Sequence, residues 1–190
     1  MKLQTILLSA LLATSLFAAD QNATAPMTTK QEGVQYIKML GEALKSQLQA
    51  QMKADPSGMS ALGFCTAKAM EITKEVNQKL PTYASVRRTA LKTRNEGNAP
   101  DAIDTQVMQD YEKAIADKTF TPTDIKVVEE GNVTRLYKPL ITEAPCLKCH
   151  GTQLSPDIQA SLKVNYTKDQ ATGFTEGSLR GVIVAEIKKH

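Results

Sequence analysis

Five consecutive residues, Cys146-Leu147-Lys148-Cys149-His150, carry the most explicit chemistry in this chain of 190 residues. Two thiols three positions apart can each add across one vinyl group of a protoporphyrin, giving two thioethers. The adjoining imidazole is then held beneath the ring plane, where a ring nitrogen can ligate iron. The C-x-x-C-H spacing thus reads as the attachment site of a single, covalently bound haem c.

Two other chemistries use the same atoms. Cys65, Cys146, Cys149 and His150 could surround zinc as three thiolates and an imidazole. Small zinc sites draw their ligands as two close pairs, however, and Cys65 stands alone far upstream. A C-x-x-C pair can also be a thiol–disulfide site, but those open a helix within a βαβ pattern. Here the pair follows a hairpin pattern and Ala144-Pro145. A plain disulfide would leave His150 without a role.

A second axial ligand is not fixed by spacing. The other histidine, His190, ends the chain, where chains are usually loose. Met39, Met52, Met59, Met70 and Met108 carry thioethers, although a methionine ordinarily fills core space. The chain has 3 cysteines, an odd count that leaves Cys65 without a partner if the motif holds haem. A buried cysteine behaving as a small apolar side chain is an equally ordinary fate.

The elements that must position these groups follow from periodicity. Thr29 with Glu32 forms a capping-box pattern, and Val34, Ile37, Leu40, Leu44, Leu48 and Met52 then predict a long amphipathic helix. Asp55-Pro56-Ser57-Gly58 breaks it. Leu62, Cys65, Ala69, Ile72, Val76 and Leu80 predict a second helix, ended by Pro81, with Cys65 on its apolar stripe. Residues 83–91 have strand character, 95–100 read as a loop, and 101–117 as a helix. Residues 125–128 and 133–140 around Glu130-Gly131-Asn132 predict a β-hairpin. Ser155-Pro156-Asp157 starts a short helix, and 182–187 form a buried final strand. Two helices, then strands mixed with helices, then a closing strand predict an α+β fold with a mainly antiparallel sheet.

Residues 1–19 read as a secretory signal peptide: Lys2, an apolar stretch over 6–17, then Ala18, Ala19 and Asp20. That stretch is short for a membrane span, which needs about 20 residues. A flexible leader over 20–28 and one domain over 29–190 complete the expected organisation. The mature protein is expected in the periplasm, with no membrane span. The chain has 23 basic and 20 acidic residues, and loss of Lys2 with the leader leaves a net charge of +2. So even a balance argues against nucleic acid as the partner.

Several separated stretches are similar to those of one family. They are Arg87-Arg88-Thr89-Ala90-Leu91-Lys92-Thr93-Arg94-Asn95, continuing through Asn98-Ala99-Pro100-Asp101; Tyr137-Lys138-Pro139-Leu140 ahead of the C-x-x-C-H motif and Gly151; and Gly173-Phe174, Glu176-Gly177 and Arg180-Gly181 before the last strand. Cys65, Ala67 and Ile72 resemble its cysteine-bearing helix. Over about residues 30–188 the chain resembles the PAS-like c-type haem domains, long carried as a domain of unknown function. Members occur among cyanobacterial haem proteins and the periplasmic sensor regions of histidine kinases. The resemblance implies a PAS-like α+β fold, a central antiparallel sheet flanked by helices with a long N-terminal helix. It also implies one c-type haem with axial histidine and cysteine, here His150 and Cys65.

A His150/Cys65 pair would make a redox- or gas-responsive sensor module, because a thiolate favours ferric iron and can leave on reduction. A simple periplasmic electron-transfer cytochrome c is the alternative. An enzyme ranks last, for want of acid–base groups at an open distal site. Kinase-linked members continue into a membrane helix, so here a separate periplasmic redox or signalling partner is expected; a homodimer through the N-terminal helices is a further expectation. Arg87, Arg88 and Arg94 could contact haem propionates or simply form a solvated strand face. Arg88 is the cofactor-binding candidate among them.

Overall fold

The computed structural model describes residues 26–188. The signal peptide expected over residues 1–19, the part of the expected leader up to residue 25, and His190 lie outside the described residues.

Helix α1, Thr29–Ala54, opens one residue earlier than its pattern suggests. Thr28 accepts from the Gln31 N–H at 3.3 Å, and the Gln31 side chain accepts from the Thr28 N–H at 2.9 Å. Glu32 is unavailable for capping because its carboxylate accepts the hydroxyls of Tyr36 and Tyr83, the latter at 2.7 Å. Tyr36, Ile37 and Leu40 bury the first half of α1 against the sheet. Asp55 ends the helix, as its sequence signal indicates.

The second helical stretch is two helices, α2 (Met59–Ala67) and α3 (Ala69–Asn77), separated at Lys68 with φ −117°. The single apolar stripe expected there divides between two destinations. Leu62 packs with Ile158 and Leu162, whereas Ile72, Val76 and Leu80 join the core beneath α1. A straight helix cannot serve both. The hydroxyls of Thr66 and Thr73 also donate back to the Leu62 and Ala69 carbonyls, a pattern that bends helices. The Asn77 amide closes α3 by exchanging two hydrogen bonds with the Val86 backbone, at 2.7 and 2.8 Å.

Four strands follow: β1 (Ala84–Thr89), β2 (Lys126–Glu130), β3 (Val133–Ile141) and β4 (Leu179–Lys188). They form one antiparallel sheet in the order β1-β4-β3-β2, with β4 centred between Arg88 and Lys138 at Ile183. Helix α4 (Ala102–Ala116) precedes the β2–β3 hairpin, and α5 (Leu147–His150) and α6 (Pro156–Asn165) lie between β3 and β4. The fold is therefore α+β with a long N-terminal helix.

The near-continuous apolar run of β4 is explained by cover on both faces. Ile183, Ala185 and Ile187 meet α1 and α3, while Val182 and Val184 meet Val107, Met108 and Tyr111 of α4. Helix α4 is fastened by Asp104, fully buried, which takes a two-pronged bond from Arg87 at 2.8 and 3.0 Å. Arg87 also reaches Glu186 at 3.0 Å. Bidentate geometry satisfies a buried carboxylate that would otherwise be costly. Arg87 is thus a sheet-to-helix tie on the α4 face.

Candidate functional site

The site gathers at one end of the sheet, where the C-x-x-C-H segment is pinned from three directions. Its backbone takes two hydrogen bonds from the loop before β4: Phe174 N–H to the His150 carbonyl at 2.9 Å and Gly173 N–H to the Gly151 carbonyl at 3.0 Å. Arg94 donates to the Cys149 carbonyl at 2.6 Å. Lys148 donates to the Pro56 carbonyl, tying α5 to the turn before α2. That turn ends at Gly58 with φ 89°, a left-handed backbone that glycine adopts without strain. A Cβ there would sit 3.9 Å from the Cys149 sulfur, so the turn lies directly against the motif. Gly151 is fixed by space: a Cβ on it would fall 2.5 Å from the Leu147 carbonyl oxygen.

His150 is oriented by its Nδ1, 2.7 Å from the Ala171 carbonyl oxygen. A carbonyl only accepts, so Nδ1 carries the hydrogen and Nε2 keeps a free lone pair. The Phe174 ring meets the imidazole edge-on at 6.1 Å and 86°. Burial, followed by the nearby Arg180 and Arg94 charges, pushes the imidazole pKa down to about 3. His150 is therefore neutral at ordinary pH, the state in which imidazole ligates metals.

Cys65 comes to the same place from α2. Burial pushes its thiol up, and the charges of Arg88, Arg94 and Arg180 pull in the opposite direction. The Cys149 thiol is also raised, by burial first, and Cys65 adds to the rise. Spacing far apart in sequence thus becomes proximity in space. All three cysteines are free thiols in this structure. Among the described residues no three His, Cys, Asp or Glu side chains gather to hold a metal, so the zinc tetrahedron does not form.

Three arginines surround these groups, each in a different situation. Arg94 is spent on protein partners, donating to Cys149, Ala171 and Asp169. Arg180, at the start of β4, stacks on Phe174 at 5.3 Å and donates to the Lys92 carbonyl at 3.3 Å, but its Nε is buried without a partner. The side chain of Arg88, on the last part of β1, makes no hydrogen bond or ion pair among the described residues, and its Nε is also buried and unpartnered. Burial lowers the pKa of Arg88, and it lowers that of Arg180 to about 10 with help from Arg94 and Arg88. Arg88, Arg180, Cys65 and His150 remain partly open to solvent and yet strongly desolvated. Their influence on one another's pKa places these groups in one partly sheltered recess.

Met108 and Met39 are absorbed in the cores on either side of the sheet, and Met70 is 42% exposed. Met59 packs against the α2–α6 contact that also includes Cys149. A cavity of about 520 Å³ borders the motif at Gly151, with Thr152, Leu162, Asp169 and Thr172 on its walls. It abuts the recess without including Cys65, His150 or the arginines. Sequence reasoning did not assign Arg180 a role; its signals were its place in a family-like stretch and a cation leading into an otherwise apolar strand.

The model of the family described as Tll0287-like matches residues 13–187. Among solved structures, the crystal structure of the cyanobacterial heme-protein Tll0287 matches with a TM-score of 0.61 and 23% identity, over 83% of this chain and 92% of that chain. The two share a fold. No curated protein matches the sequence.

Proposed function

Since the chain belongs to the Tll0287-like family, we propose that it binds one haem c through Cys146 and Cys149, with His150 and Cys65 as axial ligands. In this reading it is an exported periplasmic sensor module, responsive to redox state or a small gas, and not an enzyme. A periplasmic redox or signalling protein would receive its output, and pairing of two copies through α1 is consistent with the role. Among the described residues no helix is long and apolar enough to cross a membrane.

The observation that carries the proposal is Arg88, whose Nε is buried without a partner beside the Cys65 thiol and whose side chain makes no ion pair among the described residues. A buried donor left without a partner is costly and calls for an explanation. A protoporphyrin brings two carboxylates, and Arg88 Nε and Arg180 Nε are two orphaned donors, so the residues fit the group. Bound haem would supply a one-electron iron couple and, with one axial position open, a site for a diatomic gas.

The chain's own groups divide the remaining work. His150 presents a neutral Nε2 lone pair whose direction is set by the Ala171 carbonyl. Cys65 would hold the group's iron as a thiolate, whose negative charge would offset the positive charge of ferric iron more fully than that of ferrous iron. As a thiol, protonated from solvent, Cys65 would be the weaker donor and free to withdraw. It sits on a nine-residue helix separated from α3 at Lys68, a unit small enough to move with its thiol. Such a bond is a two-state element of the kind a sensor needs.

The test is production with a cytochrome c maturation system, followed by comparison of wild type with Cys65→Ser. The proposal expects a shifted ferric spectrum and a raised midpoint potential in the variant, and CO or NO binding to reduced wild type. Unchanged spectra and potential would remove Cys65 from the iron. Retention of both ligands on reduction, with no gas binding, would make the protein an electron carrier instead.

A further inference from the structure

We propose that Arg94 is a positioning residue that grips the support of His150 and thereby sets the ferric–ferrous balance of the site. The inference rests on the haem reading above and concerns a residue that touches neither donor atom.

The Arg94 side chain is only 8% exposed, and its partner Asp169 10%. Its Nη2 donates to the Cys149 carbonyl at 2.6 Å and to the Ala171 carbonyl at 3.1 Å, and its Nε donates to Asp169 at 3.2 Å. Asp169 in turn accepts from the Ala171 N–H at 2.8 Å, and Gln170 N–H donates to the Thr93 carbonyl at 2.8 Å. The same Ala171 carbonyl receives His150 Nδ1–H. A closed circuit results, from Arg94 through Asp169 and Ala171 to His150 and back through Cys149. The planar guanidinium fork is what lets one side chain hold three acceptors at fixed angles.

Two consequences follow for the imidazole. The ring is held by an oxygen that cannot drift, because Arg94 and Asp169 fix both ends of the Ala171 peptide. In addition, Arg94 competes for that oxygen and weakens its pull on Nδ1–H. A stronger pull would make the imidazole a better donor and favour ferric iron. The positive charge of Arg94, partly offset by Asp169, works in the same direction. Arg94 therefore holds the reduction potential up. Its assignment to main-chain carbonyls also separates it from Arg88 and Arg180, whose orphaned Nε atoms face the propionate role.

The test uses matured wild type, Arg94→Gln and Arg94→Lys. Each is examined for midpoint potential and for hydrogen exchange of the His150 Nδ1–H by NMR. Loss of the fork in Arg94→Gln is expected to favour the ferric form about tenfold, a fall of about 59 mV for one electron, with faster exchange of the ring hydrogen. Arg94→Lys keeps the charge as a single point donor and is expected to recover part of the potential while exchange stays fast. It also serves if Arg94→Gln does not fold. Wild-type values of both readouts in either variant would overturn the positioning role while leaving the haem reading intact. A matured wild type that carries no haem would instead overturn the reading on which this one rests.

Discussion

A guanidinium held away from water needs an anion, and Arg88 has none among the described residues. On the proposed function a propionate completes its environment, which gives opposite expectations for the two forms of the protein. Arg88→Met in unloaded protein should be neutral or stabilising, by about 1–3 kcal/mol, because an unsatisfied buried donor is removed. In matured protein the same change should destabilise, since a propionate then loses its partner. Urea denaturation of both forms reads the sign directly, and destabilisation of the unloaded form would show that Arg88 is a structural residue. At this scale the sequence was uneven. The motif Cys146–Cys149–His150 was legible because its chemistry is local. The roles of Arg87, Arg94 and Arg180 were not, because a guanidinium's meaning lies in acceptors supplied by distant segments: Asp104 for Arg87, Asp169 and two carbonyls for Arg94, the Lys92 carbonyl for Arg180.

Periodicity located α1, α4, the β2–β3 hairpin and β4 well, because each buries one stripe or run against one neighbour. It failed at Lys68, where a single stripe serves two neighbours and the helix must turn. The short turn that precedes α2 has its own electrostatic signature. The Asp55 carboxylate accepts hydrogen bonds from Ser57 and from the Ser60 N–H, which holds its pKa down to about 2. A depressed carboxyl contributes order that is complete above its unfolded value near 3.8 and is lost as pH falls through about 2. The Ser57 and Ser60 amides should therefore lose exchange protection on acidification through that window. Asp55→Asn should leave them less protected than wild type above that window, with the acid step gone. A step that persists in Asp55→Asn would place its origin elsewhere. Because Lys148 bonds to Pro56 within this turn, its loosening also frees the N-terminal end of α2 from the motif.

The whole molecule is a sheet with a core on each face and a polar recess at one end. The cores hold β4 rigidly through Val182, Ile183 and Val184, so that Arg180 at its start is carried on a fixed frame. Cys65 arrives on a short helix, and His150 on a four-residue one pinned by loops. The two groups proposed as iron ligands thus come from different elements, Cys65 from α2 and His150 from the pinned α5. The fold class and the long N-terminal helix could be read from element order. The recess could not, since it draws Cys65 from α2, Arg88 from β1, His150 from α5 and Arg180 from β4, segments far apart in sequence.

The central claim is tested most directly by expressing the full chain with a cytochrome c maturation system and recording its spectrum before and after denaturing electrophoresis. The account predicts a Soret band, haem staining that survives denaturation, and loss of both in a Cys146→Ala/Cys149→Ala variant. A matured wild type without a Soret band, or with haem that is washed away on denaturation, would contradict it.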